Sequence, residues 1–86
     1  MTYAVTVETS AERDLKRIPR DILRRVDAEF LALSQNPRPH GVVKLQGREG
    51  EGWRIRVGAY RILYTIDDNA RIVSVYRIRP RARVYR

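Results

Sequence analysis

Arginines dominate the chain from residue 54 to residue 86. This part contains nine arginines against two acids, Asp67 and Asp68, and so supplies +7 of the formal net charge of +8. The arginines are interleaved with apolar and aromatic residues at a spacing of two, which is typical of a β-strand with two unlike faces. A guanidinium group binds phosphate through a planar pair of N–H donors and stacks on nucleobases. The pattern therefore predicts a folded sheet that presents arginines to a polyanion, which we expect to be RNA.

Three of these arginines are predicted to share one face of a hairpin. Gly58-Ala59 has the composition of a two-residue turn, and this turn places Arg56 directly opposite Arg61, with Arg54 on the same face. Like charges opposite each other destabilise a strand pair by up to about 1 kcal/mol. A bound anion would offset that repulsion, so the register predicts an anion site. The alternative is a solvated face on which the guanidinium groups point apart.

The opposite face of the hairpin is apolar and is predicted to be the floor of the core. Its members are Trp53, Ile55, Val57, Tyr60, Ile62 and Tyr64. For the tryptophan, this position favours core packing over stacking on a base. A second turn, predicted at residues 67–70 from its Asp and Asn content, would place Ile66 opposite Arg71 and Arg61 opposite Tyr76.

The elements that must position these residues follow from periodicity and from helix breakers. Residues 3–7 alternate and are β-branched, which predicts a first strand. A capping-box pattern from Thr9 to Glu12 predicts the start of a helix that Pro19 ends. A second helix carries an apolar stripe and ends at residues 36–39. The members of that stripe are Leu23, Val26, Phe30 and Leu33.

Further strands are predicted by alternation at residues 42–45, 53–57, 60–66 and 71–79. The fold class is therefore α+β, with an N-terminal strand and a helical hairpin packed on a curved antiparallel β-sheet in the order β-α-α-β-β-β-β. The 86 residues are expected to form a single domain, residues 1–86.

Composition excludes several chemistries. The chain contains no cysteine and one histidine, His40, so disulfides, a thiolate nucleophile and a zinc site of Cys and His ligands are not possible. No glycine-rich phosphate loop followed by Lys-Ser or Lys-Thr occurs. We expect no metal and no cofactor. No apolar run of membrane length or signal-peptide core is present, so we expect a cytoplasmic protein without membrane contact.

A reaction on RNA remains feasible without a metal. RNA carries its own nucleophile, the 2′-hydroxyl group. A protein needs to orient that hydroxyl in line, neutralise the phosphate and help to move protons. Arginine and tyrosine side chains supply the charge and part of the proton transfer, whereas DNA lacks the hydroxyl and would not be cut in this way.

Four segments of the chain resemble the RelE toxins of the RelE/ParE superfamily. They are Lys-Leu-Gln-Gly at residues 44–47, Trp-Arg-Ile-Arg-Val-Gly at residues 53–58, Ala-Tyr-Arg-Ile-Leu-Tyr at residues 59–64, and Arg81 together with Val-Tyr-Arg at residues 84–86. The predicted first strand and helical hairpin also match, so the resemblance covers essentially the whole chain. It implies a small toxin of a type II toxin–antitoxin pair with the RelE-like fold.

The resemblance also implies an activity and a set of partners. RelE-like toxins cleave messenger RNA in the ribosomal A site, without metal, through attack of the 2′-hydroxyl on the adjacent phosphate. Their antitoxin is typically an acidic, partly disordered protein that wraps the toxin, and the complex often represses its own promoter. The expected partners are therefore an acidic RelB-like antitoxin, messenger RNA in the ribosomal A site, and operator DNA only through the antitoxin complex.

The family's functional residues correspond to five positions in this chain. Its catalytic basic pair on the central strand falls on Arg54 and Arg56, and its phosphate-binding arginine falls on Arg61. Its later arginine falls on Arg81 and its C-terminal tyrosine on Tyr85. RelE itself has lysines at the first two positions. Because arginine stays protonated, we expect this pair to act electrostatically rather than as a general base.

Other departures and other functions are also considered. Pro80 stands where many relatives carry histidine, which removes a possible acid–base group, and the chain stops at Arg86 with no C-terminal helix. One alternative is a ParE-like protein on the same fold, which inhibits DNA gyrase by binding and cuts no RNA. The other is a non-catalytic basic module that binds RNA or DNA. Arg61, Arg81 and Tyr85 favour the RelE-like function.

Overall fold

Two helices and five strands make up the fold in the predicted order. The computed structural model describes residues 2–80. The helices are α1, Thr9–Leu15, and α2, Arg20–Gln35. The strands are β1 Ala4–Val7, β2 Val43–Lys44, β3 Trp53–Val57, β4 Tyr60–Asp67 and β5 Ile72–Pro80. A 3-10 turn, Gly47–Glu49, lies in the predicted glycine-rich loop.

The five strands form one sheet in the order β1-β5-β4-β3-β2. β2 pairs with β3, β3 with β4 and β4 with β5, each in antiparallel orientation, as predicted. β1 joins the edge of β5 in parallel, with Val5 opposite Val73, so the sheet as a whole is mixed. Parallel neighbours need a long connection between them, and here that connection is nearly the entire chain.

The predicted capping box at the start of α1 is wrong. Glu8 precedes the helix and makes no side-chain capping bond. The hydroxyl of Ser10 instead donates to the backbone carbonyl of Tyr76 at 2.6 Å. The pairing of β1 with β5 ends at Val7, and α1 follows the same edge. The helix thus covers part of a strand edge that has no strand beside it.

The core lies between the sheet and the helices. Val26 and Leu33 of the α2 stripe are fully buried. Trp53 and Tyr60 pack against the buried cluster, as the predicted apolar face requires. The buried strand residues of that cluster are Ile55, Val57, Ile62, Tyr64, Val73, Val75 and Ile78. Over residues 2–80, no helix is both long enough and apolar enough to span a membrane.

The hairpin between β3 and β4 has the predicted register. Val57 pairs with Tyr60, so that Gly58 and Ala59 form the turn between the two strands. Gly58 has a φ of 58°, a left-handed conformation that favours glycine in tight hairpin turns. A two-residue turn leaves one way to align the strands, which is why the sequence was sufficient to predict this pairing.

The predicted register between β4 and β5 is wrong for two reasons. The turn begins one residue later, since Asp67 pairs with Ile72 and Arg71 adopts a left-handed φ of 58°. A bulge next to Tyr64 then leaves Tyr76 as an extra residue on β5. As a result, Ile66 lies opposite Val73 rather than Arg71, and Arg61 lies opposite Arg79 rather than Tyr76.

Candidate nucleic-acid interface

The outer face of the sheet, turned away from α1 and α2, carries a line of arginines. Arg56 on β3 lies directly opposite Arg61 on β4, as predicted. Arg61 in turn lies directly opposite Arg79 on β5. Directly opposed residues of a ladder project to the same side of the sheet. Arg56, Arg61 and Arg79 therefore form a row across three strands, which we term the arginine row.

Arg61 occupies the centre of the arginine row and is buried, with 6% of its surface exposed. Arg56 and Arg79 on either side of it are exposed. Arg61 is opposite Arg56, so its side chain projects away from the core, as predicted, on a strand that has a neighbour on each side. A buried guanidinium group in this position has less water around it, so its attraction for an anion is screened less.

Arg54 lies on the same outer face, opposite Leu63 on β4 and opposite Val43 on β2. It is half-buried. Its Nε atom is buried and has no hydrogen-bond partner within residues 2–80. A buried N–H donor without an acceptor is unfavourable, so an anion that reaches this face would gain a donor that the described part of the chain leaves unused.

Two other arginines are neutralised by carboxylates. Arg77, also on β5, donates from Nε to Oδ2 of Asp14 at 2.9 Å. The same Oδ2 accepts a hydrogen bond from the backbone N–H of Ile78 at 2.8 Å. Arg38 pairs with Asp68 at 2.9 Å. These pairs attach α1 to the open edge of β5 and the loop after α2 to the turn after β4.

The carboxylates of these two pairs are bound by Arg38 and Arg77, at the turn after β4 and on β5. In the part of the chain that the structure describes, neither Asp14 nor Asp68 forms an ion pair with Arg54, Arg56 or Arg79. The outer face thus concentrates positive charge, whereas the arginines at its borders are paired with carboxylates. Such a distribution attracts a polyanion to the face as a whole.

Trp53 on β3 and Tyr64 on β4 belong to the core side of the sheet rather than to its outer face. Two cations lie over the ring of Trp53, with Cζ of Arg38 5.3 Å and Nζ of Lys44 4.9 Å from its centroid. The hydroxyl of Tyr64 donates to the carbonyl of Pro37 at 2.8 Å, and burial raises the pKa of Tyr64 well above its usual value. Tyr64 is therefore a neutral core residue and not a proton acceptor at ordinary pH.

Asp67 and Asp68, the two aspartates at the turn after β4, make different contacts, whereas the sequence predicted a turn-forming role from both. Asp67 accepts a hydrogen bond from the backbone N–H of Ala70 at 2.9 Å, which is the turn-forming role expected of it. Asp68 instead binds both Arg38 and the hydroxyl of Tyr3, the latter at 2.6 Å. Hydrogen bonds from Arg38 and then from Tyr3 lower the pKa of Asp68 to about 2.

The chemical capacity of the outer face is electrostatic. Arginine remains protonated at ordinary pH, so these side chains hold an anion and stabilise developing negative charge. Within residues 2–80, no three His, Cys, Asp or Glu side chains are placed to hold a metal ion. Arg81 and Tyr85 lie outside the described residues, so their membership in this site stays a prediction.

Comparisons of sequence identify related proteins. A family model described as the ParE toxin of the type II toxin–antitoxin system parDE matches residues 5–85. Toxin RelG of Mycobacterium tuberculosis is 40% identical over 87 residues, which cover 100% of this chain and 99% of that protein. Toxin RelE of the same organism is 36% identical, over 98% of this chain and 87% of that protein.

Comparisons of structure agree with those of sequence. The RelE–RelB complex from Pyrococcus horikoshii contains a chain that matches with a TM-score of 0.84 and 28% identity, covering 96% of this chain and 99% of that one. The RelBE2 toxin–antitoxin complex from Mycobacterium tuberculosis matches with a TM-score of 0.82 and 33% identity, covering 94% and 100%. The predicted fold class is thus confirmed.

Proposed function

This chain belongs to the RelE/ParE superfamily of toxins of type II toxin–antitoxin systems and is RelE-like, and we propose that it is a ribosome-dependent endoribonuclease. The observation that carries this proposal is the placement of Arg54, Arg56 and Arg61 on one face of two adjacent strands. RNA brings its own nucleophile to such a face. The protein then needs to orient the 2′-hydroxyl, neutralise the phosphate and assist proton transfer.

In the proposed reaction, the 2′-oxygen attacks the adjacent phosphorus and the bond to the 5′-oxygen of the next nucleotide breaks. A proton leaves the 2′-hydroxyl, and a proton is delivered to the 5′-oxygen. Arg61 binds the non-bridging phosphate oxygens, because it is central on the face and shielded from water. Arg54 and Arg56 stabilise the charge that develops during attack. Their permanent charge means that neither accepts the proton.

Two further residues enter the proposal through the family resemblance. Arg81 adds positive charge at the scissile phosphate, and Tyr85 takes part in proton transfer and in positioning the RNA. Pro80, at the position of a histidine in many relatives, is the last residue of β5 and has no acid–base group. The proposal therefore assigns no proton transfer to that position.

The proposed partners follow from the same relatives. The structures from Pyrococcus horikoshii and Mycobacterium tuberculosis are complexes of a RelE-type toxin with its antitoxin. We expect this chain to bind a cognate acidic RelB-like antitoxin, since the outer face is strongly positive. Binding to operator DNA is expected only as part of that complex. The messenger RNA would be met in the ribosomal A site, and hence in the cytoplasm.

A second function on the same fold is inhibition of DNA gyrase. The observation that favours it is the match of residues 5–85 to a family model whose description names the ParE toxin. A gyrase inhibitor would act by binding and would leave messenger RNA intact. A non-catalytic RNA-binding or DNA-binding module would produce neither effect.

Primer extension on messenger RNA from cells that express the chain separates these functions. We expect cuts at codon spacing within translated regions, and their loss in Arg61→Ala. A matched control is Arg24→Ala, which removes an exposed arginine of α2 on the other side of the sheet. DNA damage signalling without cuts would contradict the proposal in favour of gyrase, and the absence of both effects would leave a binding module.

A further inference from the structure

The arginine row extends beyond the residues that the proposed function uses. We propose that Arg79 is a phosphate-contacting residue and that the row binds successive phosphates of a single RNA strand rather than one phosphate alone. This inference rests on the proposed function, because it takes RNA as the polyanion. It assigns to Arg79 a role in holding the RNA strand where that strand crosses β3, β4 and β5.

The register of β5 places Arg79 on the outer face. After Val73 and Val75 the next core residue is Ile78, so the apolar spacing changes from two to three. The bulge at Tyr76 accounts for this change. Without the extra residue, Ile78 would lie opposite Arg61, and Arg79 would turn toward the core. A bulge commonly re-aims side chains at functional sites, and here it completes the arginine row.

The length of the arginine row suits an extended RNA strand. Neighbouring strands lie about 4.8 Å apart, so the backbone positions of Arg56 and Arg79 are separated by about 10 Å. Arg61 lies between them and is buried, whereas both ends of the row are exposed. The row is therefore longer than a single phosphate group. Its two ends are open to the phosphates that precede and follow the one held at Arg61.

Arg79 and Arg77, which lie two residues apart on β5, differ in whether a carboxylate pairs with them. Arg77 is held by Asp14 and contributes to the fold. Arg79 has no carboxylate partner within residues 2–80. Arg56 and Arg79 are exposed and lie directly opposite Arg61, one on each side of it. A bound polyanion supplies a phosphate to each exposed end of the row, whereas a single phosphate at the centre supplies neither.

The inference is tested by the salt dependence of RNA binding. The probe is a short 2′-O-methyl oligoribonucleotide, in which the nucleophile is blocked so that binding is measured without cleavage. For a single strand, removing one arginine–phosphate interaction reduces the slope of log affinity against log salt by about 0.7. We expect Arg79→Gln to reduce the slope by this amount and to weaken binding about fivefold. The matched control, Arg24→Gln, removes the same charge from α2 and should change neither quantity.

The outcomes distinguish the inference from the proposed function. If Arg61→Ala weakens binding while Arg79→Gln behaves like Arg24→Gln, the role of Arg79 is overturned and the proposed function stands. If neither Arg61→Ala nor Arg79→Gln differs from Arg24→Gln, the RNA site itself is overturned. If Arg79→Gln weakens binding of the acidic antitoxin but not of RNA, the assignment of the row to RNA is overturned. Thermal unfolding of each variant checks that the fold is retained.

Discussion

The arginines of β5 illustrate two uses of the same side chain in adjacent parts of the molecule. Arg77 donates to Asp14, which also accepts from the backbone of Ile78, so this arginine joins α1 to the sheet. Arg79, two residues later, lies on the outer face opposite Arg61. The comparison shows that the sign of a charge does not indicate its role. We infer that a carboxylate within hydrogen-bond distance marks the arginines that hold the fold, and we propose that the outer arginines without one bind the ligand.

The largest expected effect of a substitution is that of Arg61→Ala on cleavage. Removing one preorganised donor from a developing oxyanion commonly lowers the rate by about 10²–10³-fold. We expect a loss of that size in single-turnover cleavage of messenger RNA on programmed ribosomes. Because Arg61 is buried, the unfolding free energy of the variant is measured in parallel. Cleavage at the rate of Arg24→Ala by a folded Arg61→Ala protein would contradict the assignment.

Tyr85→Phe tests the proposed proton transfer, and Tyr64→Phe is its matched control. If Tyr85 takes part in proton transfer, Tyr85→Phe should lower the cleavage rate by about 100-fold and affect RNA binding less. Tyr64→Phe removes a hydroxyl that donates to Pro37 within the core. It should lower the unfolding free energy by about 1–2 kcal/mol and leave the cleavage rate of the folded protein unchanged. Equal losses of binding and cleavage in Tyr85→Phe would reduce that residue to a binding role.

The contribution of Arg77 to the stability of the fold is tested by replacing Asp14, the carboxylate that pairs with it. Asp14→Ala removes the ion pair with Arg77 and leaves the backbone N–H of Ile78 without its acceptor. We expect the free energy of unfolding to fall by about 2–3 kcal/mol in chemical denaturation. The slope of RNA affinity against salt should not fall, because the arginine row keeps its place on the outer face and Arg77 loses its carboxylate. A reduced slope with unchanged stability would reverse the roles given to Arg77 and Arg79.

The smallest expected effect is a pH dependence at the Arg38–Asp68 pair. The pKa of Asp68 is lowered to about 2 in the folded protein, below the value of about 3.9 for an unfolded aspartate. The carboxylate therefore stabilises the fold above pH 4, and this contribution is lost as the pH falls toward 2. The difference in unfolding free energy between the unaltered protein and Asp68→Asn, measured by chemical denaturation, should shrink as the pH falls from 4 through 2. A difference that stays constant between pH 4 and pH 2 would show that the pair has another role.

Much of the fold is predictable where local chemistry determines pairing. The Gly58-Ala59 turn sets the β3–β4 register, and that register was enough to place Arg54, Arg56 and Arg61 on one face. The parallel pairing of β1 with β5 has no such local determinant, since it joins residues as distant as Val5 and Val73. Long-range pairings of this kind depend on the packing of the helices as well as on the strands themselves.

The position of Arg79 in the arginine row was not predicted, and the reason is also local. An irregular turn with a left-handed Arg71 and a bulge at Tyr76 shifted β5 relative to the predicted register. The signal was present in the apolar pattern, because Val73, Val75 and Ile78 are spaced by two and then by three. A strand with one buried face shows such a change of spacing where an extra residue is inserted.

The central claim is that RNA binds to the outer arginines and not to the paired ones. The most direct measurement is a titration with the blocked oligoribonucleotide followed by ¹⁵N NMR of the arginine Nε–Hε groups. We predict that the signals of Arg54, Arg56 and Arg61 shift on binding, while those of Arg38 and Arg77 keep their positions. Shifts confined to the paired arginines or to those of the helices, with the outer face unaffected, would contradict this account.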